Sequence, residues 1–373
     1  MNLIDLALRN LMRRPVRTGL SILGIGLAVG SALGLTALSR SIQESAREGM
    51  DEIGDDLVVM QKGASDVFGG WIPEQTVERV AAVPGVARVA GELIMFVPGD
   101  SGGGSMLMLG WPATSYLWKK VPLREGRVPA AGEREVAVLG DAVAAALGKK
   151  AGDEMSMLGE TIRVIGIANY TTAVNRAQIL VPLADLQEAA FRPRQVSMIH
   201  VNIDRGPPAA ELAKVRADIE ALGALTASTA DEVLNNDRNF AILNAVSLAV
   251  AIIAVGVGAL NVLNALVMAT QERTREIGIL AAIGWSNSRI MASIVIEGLL
   301  MCVTGCVLGV LLSFLVALAF PHIPAIGSLI SFKPSVAMIA PTLIAALVLS
   351  LLGSLFPAWR AVRMVPAEAL RRL

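Results

Sequence analysis

The sequence predicts a membrane α-helical protein: four transmembrane helices, with an α+β extracytoplasmic domain between helices 1 and 2. Composition, the placement of uncharged runs and the placement of charge each point there. Of 373 residues, 54% are hydrophobic and only 17% are charged, against about 25% charged in soluble domains. Mean hydropathy is +0.60. Four runs almost free of charge stand out: Thr18 to Ser39, Asn239 to Gln271, Ile290 to Phe332 (broken only by Glu297) and Pro334 to Trp359. Each reaches the roughly 20 apolar residues that a helix needs to cross the hydrocarbon core. The formal net charge is zero, but residues 40–238 hold 20 Lys and Arg against 27 Asp and Glu. The segments before the first run, between the second and third, and after the fourth hold 11 Arg against 4 acidic residues. The positive-inside rule then puts both termini and the loop near residue 280 in the cytoplasm, with the large domain outside an inner, cytoplasmic membrane. Two cysteines exclude a disulfide scaffold, the apolar content excludes disorder, and zero net charge argues against a nucleic-acid partner.

The elements follow in order. Residues 1–17 form a basic cytoplasmic segment and 18–39 the first span. That span is too long for the roughly 7–15-residue apolar region of a signal peptide, so it reads as an uncleaved anchor. Ile42, Ala46, Met50, Ile53 and Leu57 recur at helical spacing, with Glu44, Arg47, Glu48, Asp51 and Glu52 on the other face. The first span therefore extends outward as an amphipathic stalk, inside a domain covering 40–238. Strand, helix and strand are expected at Leu57–Gln61, Glu74–Ala82 and Val86–Val97, and again at Ser197–Ile203, Pro208–Leu222 and Leu225–Ser228. Two such units commonly share one sheet. The section between them reads as β-rich, with a helix at Asp141–Leu147, strands at Thr161–Ile167 and Ile179–Val181, and a glycine-rich loop tip at Ser101–Ser105. The second span is 239–270, a coupling loop or helix 271–289, the third span 290–320, an outer loop 321–334, the fourth span 335–357 and a cytoplasmic tail 358–373.

Candidate functional residues are few. Phe68, Trp71 and Ile72 lie in a Gly-flanked loop that is either a lip for a hydrophobic ligand or partner, or a piece of core. Gly26, Gly30 and Gly34, with Gly305 and Gly309, have the four-residue spacing that lets helices approach closely, within one chain or across a dimer. Asn261 and Asn264 are buried amides expected to bond across helices. Glu297 is a costly charge inside a span, two turns from Arg289, and reads as a coupling or helix-pairing residue. Cys302 and Cys306 read as packing residues, and His200 and His322 have no Cys or carboxylate cluster near them in sequence. No phosphate-binding loop or hydrolase motif is present. The chain is expected to be non-catalytic, with no metal or cofactor of its own.

The most informative segment begins Gln271-Glu272-Arg273-Thr274-Arg275-Glu276-Ile277-Gly278 and continues to Ala282-Ile283-Gly284-Trp285. It resembles the ERxREIGxxxAxG signature of MacB/FtsX-type ABC transporter permeases. Pro357-Ala358-Trp359-Arg360-Ala361, then Pro366, Glu368, Ala369, Leu370 and Arg371, is similar to that family's closing segment. Leu123 to Gly126, Val136 to Gly140 and Val164 to Gly166 resemble its periplasmic core domain, and Arg9 to Arg17 its start. The resemblance implies a permease subunit that works by mechanotransmission. A separate ABC ATPase subunit would bind the ATP and Mg. Glu272, Arg273, Arg275, Glu276, Gly278 and Gly284 would form the helix that docks on it. It implies a second permease copy, identical or paralogous, and in some systems a periplasmic adaptor or outer-membrane component. The alternative within the family is an FtsX-like regulator that passes motion to an outer cell-wall hydrolase.

Overall fold

A computed structural model describes residues 3–64, 66–98, 105–157, 159–203, 209–319 and 336–363. Lys333, His322, the 101–104 loop tip, Pro208 and the tail residues Pro366, Glu368, Ala369, Leu370 and Arg371 lie outside the described residues. The chain opens with helices α1 (Leu3–Met12) and α2 (Pro15–Ile53), then strands β1 (Leu57–Gln61) and β2 (Ile72–Pro73), helix α3 (Gln75–Ala81), and strands β3 (Val86–Pro98) and β4 (Ser105–Trp111). After a 3-10 turn at Tyr116–Lys120 come β5 (Leu123–Gly126), β6 (Val136–Gly140), α4 (Asp141–Leu147), β7 (Glu154–Met157), β8 (Glu160–Ala168) and α5 (Ala173–Arg176). Next are β9 (Gln178–Pro182), α6 (Leu183–Ala189), β10 (Gln195–Val196), β11 (Met198–Ile203), α7 (Ala209–Glu220), β12 (Leu225–Ser228) and α8 (Ala230–Asn236). The last helices are α9 (Arg238–Glu272), α10 (Thr274–Ala282), α11 (Asn287–Ala319) and α12 (Val336–Val362). They divide into two compact units, one covering residues 40–243 and the other holding the long apolar helices.

In the helical unit, four helices are long and apolar enough to cross a membrane. Pro15 starts α2 at the position where a missing N–H costs nothing. The helix ends at Ile53 because Gly54 turns left-handed at φ +68°, a conformation that carries little strain only for glycine. The core joins Ile25, Val29 and Leu33 of α2, Val262 and Leu266 of α9, Ile294 and Met301 of α11, and Ala358 and Ala361 of α12. Leu20, Leu27, Ile252, Leu311 and Ile344 stay exposed, an apolar surface that suits lipid rather than water. The helix of the fourth span runs on past Pro357. α12 continues to Val362, because its last turn is held by buried Ala358 and Ala361.

The glycine ladder packs within one chain. A Cβ on Gly30 would lie 3.1 Å from the Gly309 carbonyl oxygen, and one on Gly309 would lie 2.9 Å from the Gly26 carbonyl oxygen. Gly305 sits against Ile25, while a Cβ on Gly34 would meet nothing within 4 Å. So α2 and α11 touch backbone to backbone, and four of the five glycines serve that contact. Gly309→Leu drives a side chain into rigid backbone, a cost of about 1–3 kcal/mol or more. The expected result is a lower melting temperature of the full chain in detergent, with Gly34→Leu unaffected.

The other unit is built on one sheet of order β12-β1-β11-β3-β4-β9-β6-β8-β5, with β7 added beside β8. The β4–β9 and β6–β8 pairs are parallel and the other pairs antiparallel. The two expected strand–helix–strand units do share this sheet, interleaved as β12-β1-β11-β3. Long β3 joins the halves: Val86–Glu92 pairs with β11 and Leu93–Pro98 with β4. Strand alternation sends Leu57 and Val59 to one face, with Val80, Val215 and Ile219 from the side of α3 and α7. Val58, Ala90, Trp111 and Val233 go to the other face, where Met50 and Ile53 of the stalk also pack.

The stalk packs differently from expectation. Its buried stripe is Ser41, Ser45 and Gly49, and Ile42 and Ala46 are only half-buried. Gly49 runs against Val174 and Asn175 of α5, where a Cβ would lie 2.3 Å from a Val174 methyl. Glycine is required at 49 because the Val174 and Asn175 side chains press directly on the helix backbone there. Of the three candidate lip residues, Ile72 is buried and pairs with Val196, while Phe68 is half-buried with its ring 5.0 Å from that of half-exposed Phe96. Trp71 is half-buried under the Arg192 guanidinium, 4.2 Å from its ring.

Candidate coupling site

The signature segment folds as the end of α9 followed by the short helix α10. Ile277 and Gly278 are buried in the helical core, and Gly284 ends the element at φ +98° with Trp285 N–H bonded to the Leu280 carbonyl. The opposite face shows Arg275, Ile279, Ala282 and Ile283, with Ile279 41% and Ile283 74% exposed. Arg275 makes no ion pair or hydrogen bond among the described residues. This face is apolar with a cation at one end.

The two signature carboxylates turn away from that face. Glu272 receives Arg14 at 2.8 Å and Arg17 at 2.9 Å, and Glu276 receives Arg13 at 2.8 Å and Arg273 at 3.0 Å. Burial alone would raise the Glu276 carboxyl, but Arg273 and Arg13 hold it below its usual range. Arg273 also reaches Glu297 of α11 at 2.8 Å, and the Asn10 side-chain amide donates to the same Glu297 oxygen. Glu297 therefore pairs with Arg273 and not with nearby Arg289, whose guanidinium instead lies 4.5 Å from the Trp285 ring centre. The residues of this network line a cavity of about 210 Å³, walled on its apolar side by Leu11, Leu266 and Met301. Magnitudes rank the contacts. Arg13, Arg14 and their partners are 36–62% exposed, so each pair is worth about 0–1 kcal/mol. The Glu297 side chain is 4% exposed, and stripping such a buried charge of its partner costs about 3–5 kcal/mol. Asn261 lies beside Gly24 of α2, and Asn264 is exposed. The expected cross-helix amide bonds do not form among the described residues, because glycine at 24 offers Asn261 space but no side-chain partner.

A second polar cluster was not visible in the sequence. His200 is not isolated from carboxylates. Its Nδ1 is 2.5 Å from Asp55 Oδ2, and its Nε2 lies 3.3 Å from Glu92 Oε2, near enough for charge attraction but too poorly aligned for a hydrogen bond. Trp111 Nε1 donates to Glu92, Tyr116 donates its hydroxyl hydrogen to Asp55, and Lys120 stands 3.8 Å from Asp55. Burial pulls the imidazole pKa down, but the Glu92 and Asp55 charges outweigh it and push it up to about 10. Burial would raise Asp55, and His200 and Lys120 hold it low instead. The register explains the meeting: His200 pairs with Val58 on one side and Ala90 on the other. Just before Asp55, Glu52 accepts from the Thr171 and Thr172 hydroxyls at 2.8 and 2.6 Å and from the Asn175 amide at 2.9 Å. Both acids belong to the end of the stalk, so they key it to its own domain.

Comparison with known proteins assigns both halves of the chain. The family model for the MacB-like periplasmic core domain matches residues 18–222, and that for the FtsX-like permease C-terminal domain matches residues 248–366. An uncharacterized ABC transporter permease of Mycobacterium tuberculosis is 28% identical over 370 residues, covering 97% of this chain and 98% of that one. A macrolide export ATP-binding/permease protein MacB of Bdellovibrio bacteriovorus is 25% identical, over 97% of this chain but 60% of its own length. Among solved structures, the periplasmic region of MacB from Actinobacillus actinomycetemcomitans is similar at 15% identity and a TM-score of 0.40, covering 52% of this chain and 97% of that one.

Proposed function

The chain belongs to the MacB/FtsX-type ABC transporter permeases, and on that basis we propose that it couples ATP hydrolysis on a separate ATPase subunit to substrate export or extraction outside the membrane. It is a multi-pass membrane protein with a large domain of the periplasmic core type, and an ABC permease implies an ATPase partner. The finer reading is mechanotransmission. The ATPase docks on α10, the motion enters α2, and α2 carries it to the outer domain. One observation supports this most. Glu272, at the junction of α9 and α10, is ion-paired to Arg14 and Arg17 at the start of α2, a helix unbroken for 39 residues. The apolar face of Arg275, Ile279 and Ile283 suits a shallow groove on the ATPase with an acidic rim.

In this reading the protein sits in the inner membrane with both termini in the cytoplasm, and works as a dimer. The name of the Bdellovibrio relative makes macrolides the first substrates to test. A photo-crosslinker placed at Ile283 should capture the ATPase subunit, while one at Leu311 should not. Equal capture at both positions, or at neither, contradicts the docking face.

A further inference from the structure

The network around Glu297 also reaches α1, which the family signature does not include. α1 is a ten-residue helix on the N-terminal side of the first span. Ala7 is fully buried and Leu11 packs into the helical core, while Ile4, Leu8 and Met12 face outward at 50%, 46% and 77% exposure. Its polar edge is fully engaged. Asn10 donates to Glu297, and Arg13 and Arg14, which link α1 to α2, hold Glu276 and Glu272.

Three elements thus meet at one buried carboxylate. Asn10 approaches from α1, Arg273 from the base of α10, and Glu297 itself stands on α11. The outer ion pairs are exposed and weak, so the register of α1 on α10 depends on the buried node. Arg273 bridges Glu276 and Glu297 at once, so a shift of α10 cannot leave the node undisturbed. Glu272 and Glu276 line the same cavity, but each is held by two arginines, and Glu297 itself is tied to Arg273 and Asn10, an arrangement that fixes positions rather than passing a proton.

Building on the docking reading above, we propose that Glu297 is a positioning residue that locks α1 and α10 into one body, making α1 a second coupling element that passes the motion of α10 to the start of α2. The helix carrying the load would then be gripped on both sides of its first turn. The adjoining cavity gives the arginine side chains room to follow the motion without leaving their carboxylates.

The test uses the full chain in nanodiscs with its ATPase subunit, in a Cys302→Ala, Cys306→Ala background. Spin labels go on Leu8→Cys and on Ser286→Cys just past α10, both at exposed positions and outside the docking face, and ATP hydrolysis is measured on the unlabelled chains. The expected label distance is narrow and keeps its width when ATP is added. Glu297→Ala should broaden it and cut permease-stimulated ATP hydrolysis at least ten-fold. Glu297→Gln, which keeps the shape, should do the same more mildly, and the swap Glu297→Arg with Arg273→Glu should restore both readouts in part. A narrow distance and full stimulation in Glu297→Ala and Glu297→Gln would overturn the proposal. If the wild-type chain stimulates no ATPase while the label distance still depends on Glu297, the lock stands and the docking reading fails.

Discussion

Replacing His200 by alanine should lower the melting transition of the outer domain by roughly 6–20 °C. Two magnitudes set that range. Removing one partner of a buried charged cluster costs about 3–5 kcal/mol, and each kcal/mol moves the transition of a domain this size by about 2–4 °C. Asp55 and Glu92 would remain buried with opposite charge reduced to Lys120. The triple variant His200→Gln, Asp55→Asn, Glu92→Gln removes all three charges together and should recover most of the loss. The pH dependence has a definite sign. His200 titrates at about 10 when folded and at 6.5 in an ordinary setting, so its contribution is complete below about pH 6.5 and is lost as pH rises toward about 10. Thermal scans of the full chain at pH 6.5, 8 and 9.5 should therefore show a falling transition for the wild type and a flatter one for His200→Gln. A wild-type transition that rises over this range contradicts the assignment.

The four spans were legible because a soluble domain rarely buries an uncharged run of 20 or more residues, whereas a bilayer requires one. The strands at Leu57–Gln61, Met198–Ile203 and Leu225–Ser228 were legible from local patterning and their flanking turns. What joins distant segments was not. Asp55, Glu92 and His200 meet only through the register of β1, β11 and β3, and no local pattern around any of them announces it. β2 and β10 are two residues long, too short to carry periodicity. The sequence places Glu297 two turns from Arg289 without naming its partner, and α10 folds Arg273 back onto α11 to supply it. The glycine spacing announced a close helix contact but not whose backbone it admits, and the answer is α2 against α11 of the same chain. The motif singled out the segment 271–285 as a unit. The arrangement inside it was not legible, since Glu272 and Glu276 turn toward Arg13, Arg14 and Arg17, and Arg275 and Ile283 away from them.

That arrangement sets the second large effect. Arg275→Glu reverses the charge on the proposed docking face, and Ile283→Asp puts a carboxylate on its most exposed apolar residue, at 74%. Neither residue supports the fold: Arg275 has no partner among the described residues, and Ile283 lies outside the core. Changes at such surface positions usually alter stability by less than about 0.5 kcal/mol. Truncating a well-seated interface anchor, by contrast, costs about 2 kcal/mol or more, which is about thirty-fold in affinity. The double variant should insert, fold and melt like the wild type while losing the ATPase.

Coupling through α10 is tested most directly by the rate of ATP hydrolysis by the partner subunit, with the wild-type chain or the Arg275→Glu, Ile283→Asp variant beside it in nanodiscs. Docking on this face predicts stimulation by the wild type and at least a ten-fold smaller stimulation by the variant, at equal membrane insertion. Undiminished stimulation by the variant would contradict it.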